Sequence, residues 1–439
     1  MARPNITVVV NDDSFIVPNT ERGSFTVAGM ISHGGLIQAM GTTAEVKGGV
    51  MQLGSLNELI ARLNSKETLS GQNKHYDQGV HDDSHITGDD LTERPFYQSL
   101  ISGYSGGTIM QTGGNFFAGG TYARWPLGPT GAWKTEWWSA HNYLQYGGVL
   151  IVGATGTTDY ASMTNSSTPL HNTAIPLDLV FAGATSSDAN LAATSIATTR
   201  MDCIAVTTAE GGVANPSLPT GVITDEFNVS VYGNKKHLDI SRGLRNDSLD
   251  DLITSHLAPD VAGCMARTDR LADPWWSPAG FKRGQILDVV RLIDNPTEQQ
   301  MDTMYDAKIN PVVTYPGEGT VLFGDKTLGS ETSTLSRINV SRLFIYLKKT
   351  IGASARSLLF ELNDWETRTS FVNAITPVLE NISARRGIYD YRVVCDETNN
   401  TSSIIDSNQF VADIYIKPAK SINFIQIRFT NKNTEDQLS

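Results

Sequence analysis

Asp390-Tyr391-Arg392-Val393-Val394-Cys395-Asp396-Glu397-Thr398-Asn399-Asn400-Thr401 opens the stretch, residues 390 to 429, on which the reading of this chain turns. An apolar strand runs into a loop of Asp, Thr and Asn. Phe410 to Ile416 makes a second strand and Ser421 to Phe429 a third, joined through Lys417-Pro418-Ala419-Lys420. In the third, Ile425, Ile427 and Phe429 share one face while Gln426 and Arg428 point to the other. Taken alone, the last two strands read as a plain hairpin within one molecule.

The elements upstream are legible from period and capping. Leu343, Leu347 and Ile351, with Phe344, form an apolar face at helical spacing over residues 340 to 351. Leu358-Leu359-Phe360 reads as a buried strand, and Asn363 with Glu366 as a capping box for the next helix. Trp365, Val372, Ile375, Leu379 and Ile382 are expected on one side of that helix. Pro377 predicts a kink or two shorter helices, and Arg385-Arg386 before Gly387 suit its C-terminus.

Five further blocks precede the loop in order: Pro274-Trp275-Trp276-Ser277-Pro278-Ala279-Gly280, Ile309-Asn310-Pro311-Val312-Val313-Thr314-Tyr315-Pro316-Gly317, Gly324-Asp325-Lys326-Thr327-Leu328, Asn339-Val340-Ser341-Arg342-Leu343-Phe344-Ile345-Tyr346 and Phe360-Glu361-Leu362-Asn363-Asp364. With the loop Asp396, Glu397, Thr398, Asn399, Asn400, Thr401, they make residues 262 to 429 resemble the C-terminal domain of contractile tail sheath proteins. Those proteins form the outer tube of contractile phage tails and related injection machines.

The resemblance implies a mixed α/β (α+β), multidomain sheath subunit. Its expected parts are an N-terminal arm (1–22), an outer/middle α/β domain (23–261) with a loop-rich insertion at about 64–135, a C-terminal inner sheath domain (262–420) and a C-terminal arm strand (421–439). Ile6, Val8 and Val10 at one end, and Phe424, Ile425, Ile427 and Phe429 at the other, are the implied inter-subunit strands, each adding to a neighbour's sheet. Arg385 and Arg386 are candidates for facing the tube. The implied partners are further copies in hexameric, helically stacked rings, a tail tube protein, and baseplate and tail terminator proteins. No cofactor, catalysis, direct nucleic acid contact or membrane insertion is expected, and the place of action is the virion tail, assembled in the host cytoplasm. The implied mechanism is mechanical: an extended, metastable lattice is released into a shorter, wider one with more buried contact.

Composition sets bounds that agree. A chain of 439 residues, 40% hydrophobic and with 39 glycines, fits a folded mixed α/β protein of two or three domains. It has no run of about 18 apolar residues of the kind that spans a membrane. Met1-Ala2-Arg3-Pro4-Asn5 lacks the apolar core of a signal peptide, so cytoplasmic synthesis is expected. Cys203, Cys264 and Cys395 are few, odd in number and far apart, which fits buried thiols in a reducing compartment. A net charge of −12 disfavours phosphate binding. That charge is uneven: residues 335 to 439 hold 13 basic and 11 acidic residues, leaving 34−13=21 and 46−11=35 for the rest. An acidic outer portion on a slightly basic C-terminal portion suits a shell that meets an acidic partner within, although ordinary surface variation gives the same pattern.

Nearer the N-terminus, Ile6, Val8 and Val10 alternate as an extended strand before the turn at Asn11-Asp12-Asp13-Ser14. Ser55 to Leu63 reads as a short helix capped by Ser55 and Glu58. Trp137 to Gly148 reads as a helix stopped by glycine, and Val149 to Gly153 as a buried strand. Leu177 to Phe181 and Cys203 to Val206 are further apolar strands with a helix between them, which predicts some parallel pairing.

Four patterns imitate chemistry. His75, His81 and His85 lie among Asp77, Asp82 and Asp83, yet at no known metal-ligand spacing, and a polar loop explains them equally well. Gly319 to Thr327 imitates a phosphate loop, but Asp325 stands where its carboxylate repels phosphate. Asp396 and Glu397 imitate an acid–base pair, whereas Asx loops normally satisfy their own backbone. Trp125, Trp133, Trp137 and Trp138 carry the alternative from a different class, a carbohydrate-binding module or hydrolase, against the commoner role of core. Within structural proteins, the alternative is the sheath of a tailocin or secretion-type machine.

Overall fold

A computed structural model describes residues 26–32, 50–65, 133–153, 160, 169–238 and 252–421. In chain order the elements begin with β1 (Val27–Ile31), β2 (Val50–Leu53), α1 (Leu56–Ser65), α2 (Trp133–Leu144) and β3 (Val149–Gly153). There follow β4 (Leu179–Ala182), α3 (Ser187–Arg200), β5 (Ile204–Thr208), the hairpin β6 (Glu210–Gly212) and β7 (Asn215–Ser217), β8 (Asn228–Tyr232), β9 (Asn234–Leu238) and β10 (Leu252–His256). The remainder is α4 (Ala258–Leu271), β11 (Arg291–Leu292), α5 (Glu298–Asp306), β12 (Ile309–Tyr315), β13 (Gly319–Leu322), α6 (Ile338–Ser357), α7 (Trp365–Ala384), β14 (Ile388–Val394), α8 (Ser402–Asp406) and β15 (Asp413–Pro418). The mixed α/β class expected from the sequence is what the chain adopts.

Among the described residues, eight strands form one sheet in the order β13-β12-β8-β5-β4-β1-β3-β2. The six inner strands are parallel, and β2 and β13 close the two edges antiparallel. Its central strands, Leu-Val-Phe-Ala in β4 and Ile-Ala-Val-Thr-Thr in β5, are buried at every position, as a parallel sheet covered on both faces requires. Helices α2, α3 and α4 do the covering. Ser186 caps α3 by accepting the Ala189 N–H at 3.2 Å, and Met201 ends it in the left-handed region at φ 53°. Ser55 accepts the Glu58 N–H at 3.2 Å as expected of a cap, while the Glu58 carboxylate takes the Gly54 N–H at 2.7 Å.

A second apolar core lies between α6, α7 and the two-stranded ribbon β14–β15. Leu343, Leu347 and Ile351 are buried in it, with Ile375, Leu379 and Ile382 facing them from α7, so the predicted helical faces are observed. Helix α6 belongs to both cores, because Ile338 and Ile345 on its other side pack into the core of the sheet. Its Arg342 reaches Asp269 of α4 at 2.6 Å, and its Lys349 reaches Asp178 at 3.0 Å.

Several local expectations are corrected. Leu358, Leu359 and Phe360 form a turn after α6 rather than a buried strand, and Phe360 is 86% exposed. A run of three apolar residues carries no period that separates a strand from a turn. Asp364, not Asn363, is the cap of α7, accepting the Thr367 N–H at 2.8 Å. Trp365 is 74% exposed, since it opens α7 before that helix meets the ribbon, and the buried stripe instead begins with Arg368 and Phe371. Pro377 is accommodated within one helix. The strand expected from Phe410 begins at Asp413. The division expected at 261/262 falls inside α4 and would cut β12 and β13 from their sheet. The two cores interleave along the chain, with Trp275 in the second core and Ile338 and Ile345 of α6 in the first.

Candidate assembly surface

Among the described residues the ribbon β14–β15 forms a two-stranded sheet of its own. β14 and β15 pair antiparallel from Val394↔Asp413 to Ile388↔Pro418, with an irregularity between Ile388 and Asp390. Ile388 and Ile414 point inward and are buried, whereas Tyr389, Arg392, Tyr415 and Lys417 face outward. Among the described residues neither strand has a second neighbour, so each offers an edge of N–H and C=O groups to a further strand.

The loop Asp396, Glu397, Thr398, Asn399, Asn400, Thr401 closes one end of the ribbon by satisfying itself, as its Asx character predicts. Asp396 Oδ1 accepts the Thr398 N–H at 2.8 Å and its hydroxyl at 2.5 Å, which holds the carboxyl below its ordinary pKa. Asn399 Nδ2 donates to Val394 O at 2.8 Å and to Asp413 Oδ2 at 3.1 Å. The buried Asn400 donates to Val411 O at 2.7 Å and accepts the Val411 N–H at 2.9 Å, imitating a strand partner. Asn363 Nδ2 reaches Asn400 Oδ1 at 3.2 Å and Gln409 O at 2.8 Å, and Arg368 Nε holds Asn363 Oδ1 at 2.8 Å. The loop is thereby tied to the first turns of α7, and Asp396 is engaged by its own loop.

At the other end, Arg385 and Arg386 sit on the Pro274-Trp275-Trp276 block. The α7 terminus is closed by the Gly387 N–H on Ile382 O at 2.9 Å and the Arg386 N–H on Ser383 O at 3.0 Å. Arg386 takes the left-handed position at φ 66°. The Arg385 guanidinium lies 5.6 Å from the Trp275 ring and 2.5 Å from Asp273, and that of Arg386 lies 5.6 Å from the Trp276 ring. A Cβ on Gly387 would stand 2.6 Å from Ile382 and 3.0 Å from the Trp275 ring, so only glycine lets the chain pass here.

The chain leaves the ribbon beside this block, and its exit is pinned. The Ala419 N–H donates to Gly387 O at 3.0 Å, and Asn339 Nδ2 donates to Ala419 O at 3.2 Å. Ser421 donates to Asp325 Oδ2, which Ser277 also approaches at 3.3 Å, while Asp325 Oδ1 pairs with Arg337 at 3.0 Å. Asp325, the residue that spoiled the phosphate-loop pattern, is thus a junction. Lys326 beside it donates to Tyr305 O at 2.9 Å, lies 4.2 Å from the Tyr305 ring and pairs with Glu331 at 2.8 Å, so it is committed to the protein. No local pattern in the sequence marks Asp325 and Ser421, nearly a hundred residues apart, as partners.

Trp137 and Trp138 are buried in the sheet core with their rings 4.7 Å apart, which removes them as a sugar-stacking surface. The side chain of Trp133 and all of Trp125 lie outside the described residues, as do His75, His81 and His85. Ser139 and His256, 2.8 Å apart, resemble a nucleophile and base, but both are buried. Ser139 bonds the carbonyls of Thr135 and Gly183, so its oxygen accepts from Nε2–H of His256, while Thr208 reaches Nδ1 at 3.2 Å. That is a structural bridge, and burial lowers the His256 pKa to about 4. The expected arm residues Ile6, Val8, Val10, Phe424, Ile425, Ile427 and Phe429 lie outside the described residues. No helix among the described residues is long and apolar enough to cross a membrane.

Comparison with known proteins agrees with this geometry. The family model for the phage tail sheath protein central domain matches residues 140–328, and that for the phage tail sheath C-terminal domain matches residues 330–432. Their junction falls between β13 and α6. The tail sheath protein of Vibrio phage KVP40 is 54% identical over 179 residues, 41% of this chain and 27% of that protein. The tail sheath protein of Enterobacteria phage T4 is 46% identical over 233 residues, 52% of this chain and 34% of that protein. The matched part therefore spans about a third or less of these relatives. In fold, the helical sheath of the anti-feeding prophage in its contracted state superimposes with a TM-score of 0.62 at 14% identity, covering 98% of this chain and 100% of that one. The contracted sheath complex of the extracellular contractile injection system PVC gives 0.60 at 14% identity, covering 98% of each chain.

Proposed function

The chain belongs to the phage tail sheath family, and we propose that it is a structural subunit of a contractile tail sheath. Copies assemble as hexameric rings stacked around a tail tube. The lattice then shortens and drives the tube through the host envelope for genome ejection. The observation that carries this reading is that two sheath-domain models tile residues 140–432 in order, on a chain whose fold follows contracted sheaths along nearly its whole length.

The described surface supports the mode of assembly. A ribbon whose two edges are free among the described residues accepts strands, and Ser421 is held beside that ribbon. We assign Ile6, Val8 and Val10, and Phe424, Ile425, Ile427 and Phe429, to strands that add to neighbouring copies. Main-chain ladders attach strongly and tolerate sequence change. Arg385 and Arg386, fixed above Trp275 and Trp276, are assigned to the tube-facing side. The tube protein, the baseplate and a tail terminator are the further partners. The work resides in interfaces between copies, so the mechanism calls for no nucleotide.

Negative-stain electron microscopy of the purified chain tests this directly. Hollow, striated cylinders are expected, and deletion of residues 421–439, or Ile427→Pro, abolishes them while leaving the monomer folded. Monodisperse particles at high concentration, even with a tube protein added, would overturn the reading. Normal cylinders from either variant would overturn the strand assignment.

A further inference from the structure

We infer that the contact of the three-stranded sheet β10-β9-β11 with α2 and the start of α4 is an acid-release joint, which opens while both apolar cores stay folded. The inference concerns the fold of the single chain, so it stands or falls apart from the sheath reading.

The joint is held by polar groups. In β9, Lys235 stands opposite Ser255 and Leu292, and His237 opposite Ile253, so all five share one face. Lys235, His237 and Ser255 are buried there, while Leu292 and, in part, Ile253 join the core of the eight-stranded sheet. Lys235 Nζ donates to Asp260 Oδ1 and to Leu287 O, each at 2.9 Å, and His237 Nε2 lies 2.7 Å from Ser255 Oγ. From α2 the Trp138 ring enters between two imidazoles, 4.8 Å from His237 and 5.0 Å from His141. A contact with few buried apolar groups opens at a lower free energy than a core does.

Three of the four described histidines meet here, around one buried ammonium. His256, at the end of β10, is buried with Nε2–H on Ser139 of α2 at 2.8 Å and Nδ1 taken by the Thr208 hydroxyl at 3.2 Å. A second proton has to displace that hydroxyl's donation, and the charge acting on the ring is that of Lys235, a cation. His141 on α2 stands in the same field: Asp288 draws a proton to it, while His237 and Lys235 repel one. Asp260 is occupied by Lys235 and by the Tyr146 hydroxyl at 3.0 Å, and Asp288 faces His237 at 3.4 Å. The other titratable groups described at the joint leave this balance as it is. Arg267 lies 5.2 Å from the Tyr146 ring, burial pushes the Cys264 thiol up to about 12, and Glu136 of α2 is turned to Ser32 and Tyr160.

Burial lowers His141 and His256 to about 4, so both are neutral in the closed joint at pH 5. An imidazole released to water binds a proton at about 6.5. Falling pH therefore favours the open state, and a ring protonated in place sets a second cation near Lys235.

Hydrogen exchange of the full chain at pH 7.5 and pH 4.5, read by mass spectrometry and corrected for the intrinsic effect of pH, tests this. Protection of β9 and β10 is expected to fall on the order of a hundredfold at pH 4.5, with β4, β5 and β14 little changed. Unchanged protection in β9 and β10, or an equal loss in all five strands, would overturn the proposal. His141→Gln and His256→Gln are each expected to keep roughly tenfold more protection in β9 and β10 at pH 4.5 than the wild-type chain. A wild-type loss in both would remove the histidines as its cause and refute the joint as described. A variant that does not melt near the wild-type temperature at pH 7.5 is set aside, and the wild-type pattern at the two pH values then decides.

Discussion

Arg342 Nη2 donates to Asp269 Oδ2 across 2.6 Å, and both side chains are buried, so the helix shared by the two cores is bolted to α4 by a desolvated ion pair. Thr26 donates to the same carboxylate oxygen at 2.6 Å, and Arg342 Nη1 reaches Met265 O at 3.3 Å. Removing one member of such a pair strands the other charge away from water. Arg342→Leu is therefore expected to destabilise the monomer by roughly 3–5 kcal/mol, with Arg342→Leu/Asp269→Leu recovering much of the loss. Urea unfolding of the three chains checks this, and a double variant worse than the single would contradict the account.

Asp325 offers a test of the pinned exit. Asp325→Ala removes the partner of Arg337, Ser277 and Ser421 together. The expected cost is about 2–4 kcal/mol, with faster proteolytic clipping after Ser421 than in the wild-type chain. Clipping at the wild-type rate would mean that Asn339 and Gly387 hold the exit unaided.

Gly387→Ala forces a methyl group toward Ile382 and Trp275. A loss of about 1–3 kcal/mol is expected, together with an altered near-ultraviolet signal from Trp275. An unchanged melting temperature would show that α7 shifts freely.

Acid should weaken the monomer through two histidines. Burial lowers both His141 and His256 from 6.5 to about 4, so each is neutral in the folded chain at pH 5 while the unfolded chain takes up protons. Their contribution is complete above pH 6.5 and falls as the pH drops toward 4, by about 1–2 kcal/mol each at pH 5. The fall in melting temperature between pH 7.5 and pH 5 is expected to shrink in His256→Gln. An equal fall in both chains would exclude His256 as a cause.

Asn400→Ala deletes a side chain that stands in for a strand, bonding both the N–H and the O of Val411. A loss of about 2–3 kcal/mol is expected, along with faster hydrogen exchange at the Val411 amide.

The parts legible in the sequence were those whose partners lie close along the chain. Leu343, Leu347 and Ile351 announced the buried face of α6, and Ile375, Leu379 and Ile382 that of α7, because a helical face repeats within a few residues. The loop from Asp396 to Thr401 declared its self-bonding through residue type. What stayed hidden depended on distant partners. β12 pairs with β8 some eighty residues earlier, so a strand order that carries the sheet to Leu322 is written in no local pattern. The polar groups that matter inside, Lys235 with Asp260 and Ser139 with His256, come from separate elements. The clustered histidines at 75, 81 and 85 lie outside the described residues. Leu358 to Phe360 was misread for a physical reason: hydrophobicity argues for burial only where the chain itself supplies the cover.

Because α6 contributes side chains to both cores, the ribbon and the sheet behave as one stiff tooth. A pull on β14 is passed through α7 and α6 to Asp269 and the sheet without a soft joint on the way. In the shortening lattice proposed above, such teeth would tilt and slide as whole units, and compliance would belong to the joints between copies. On that proposal stroke and stiffness would be separate properties, set in different parts of the chain, and either could change while the other is kept.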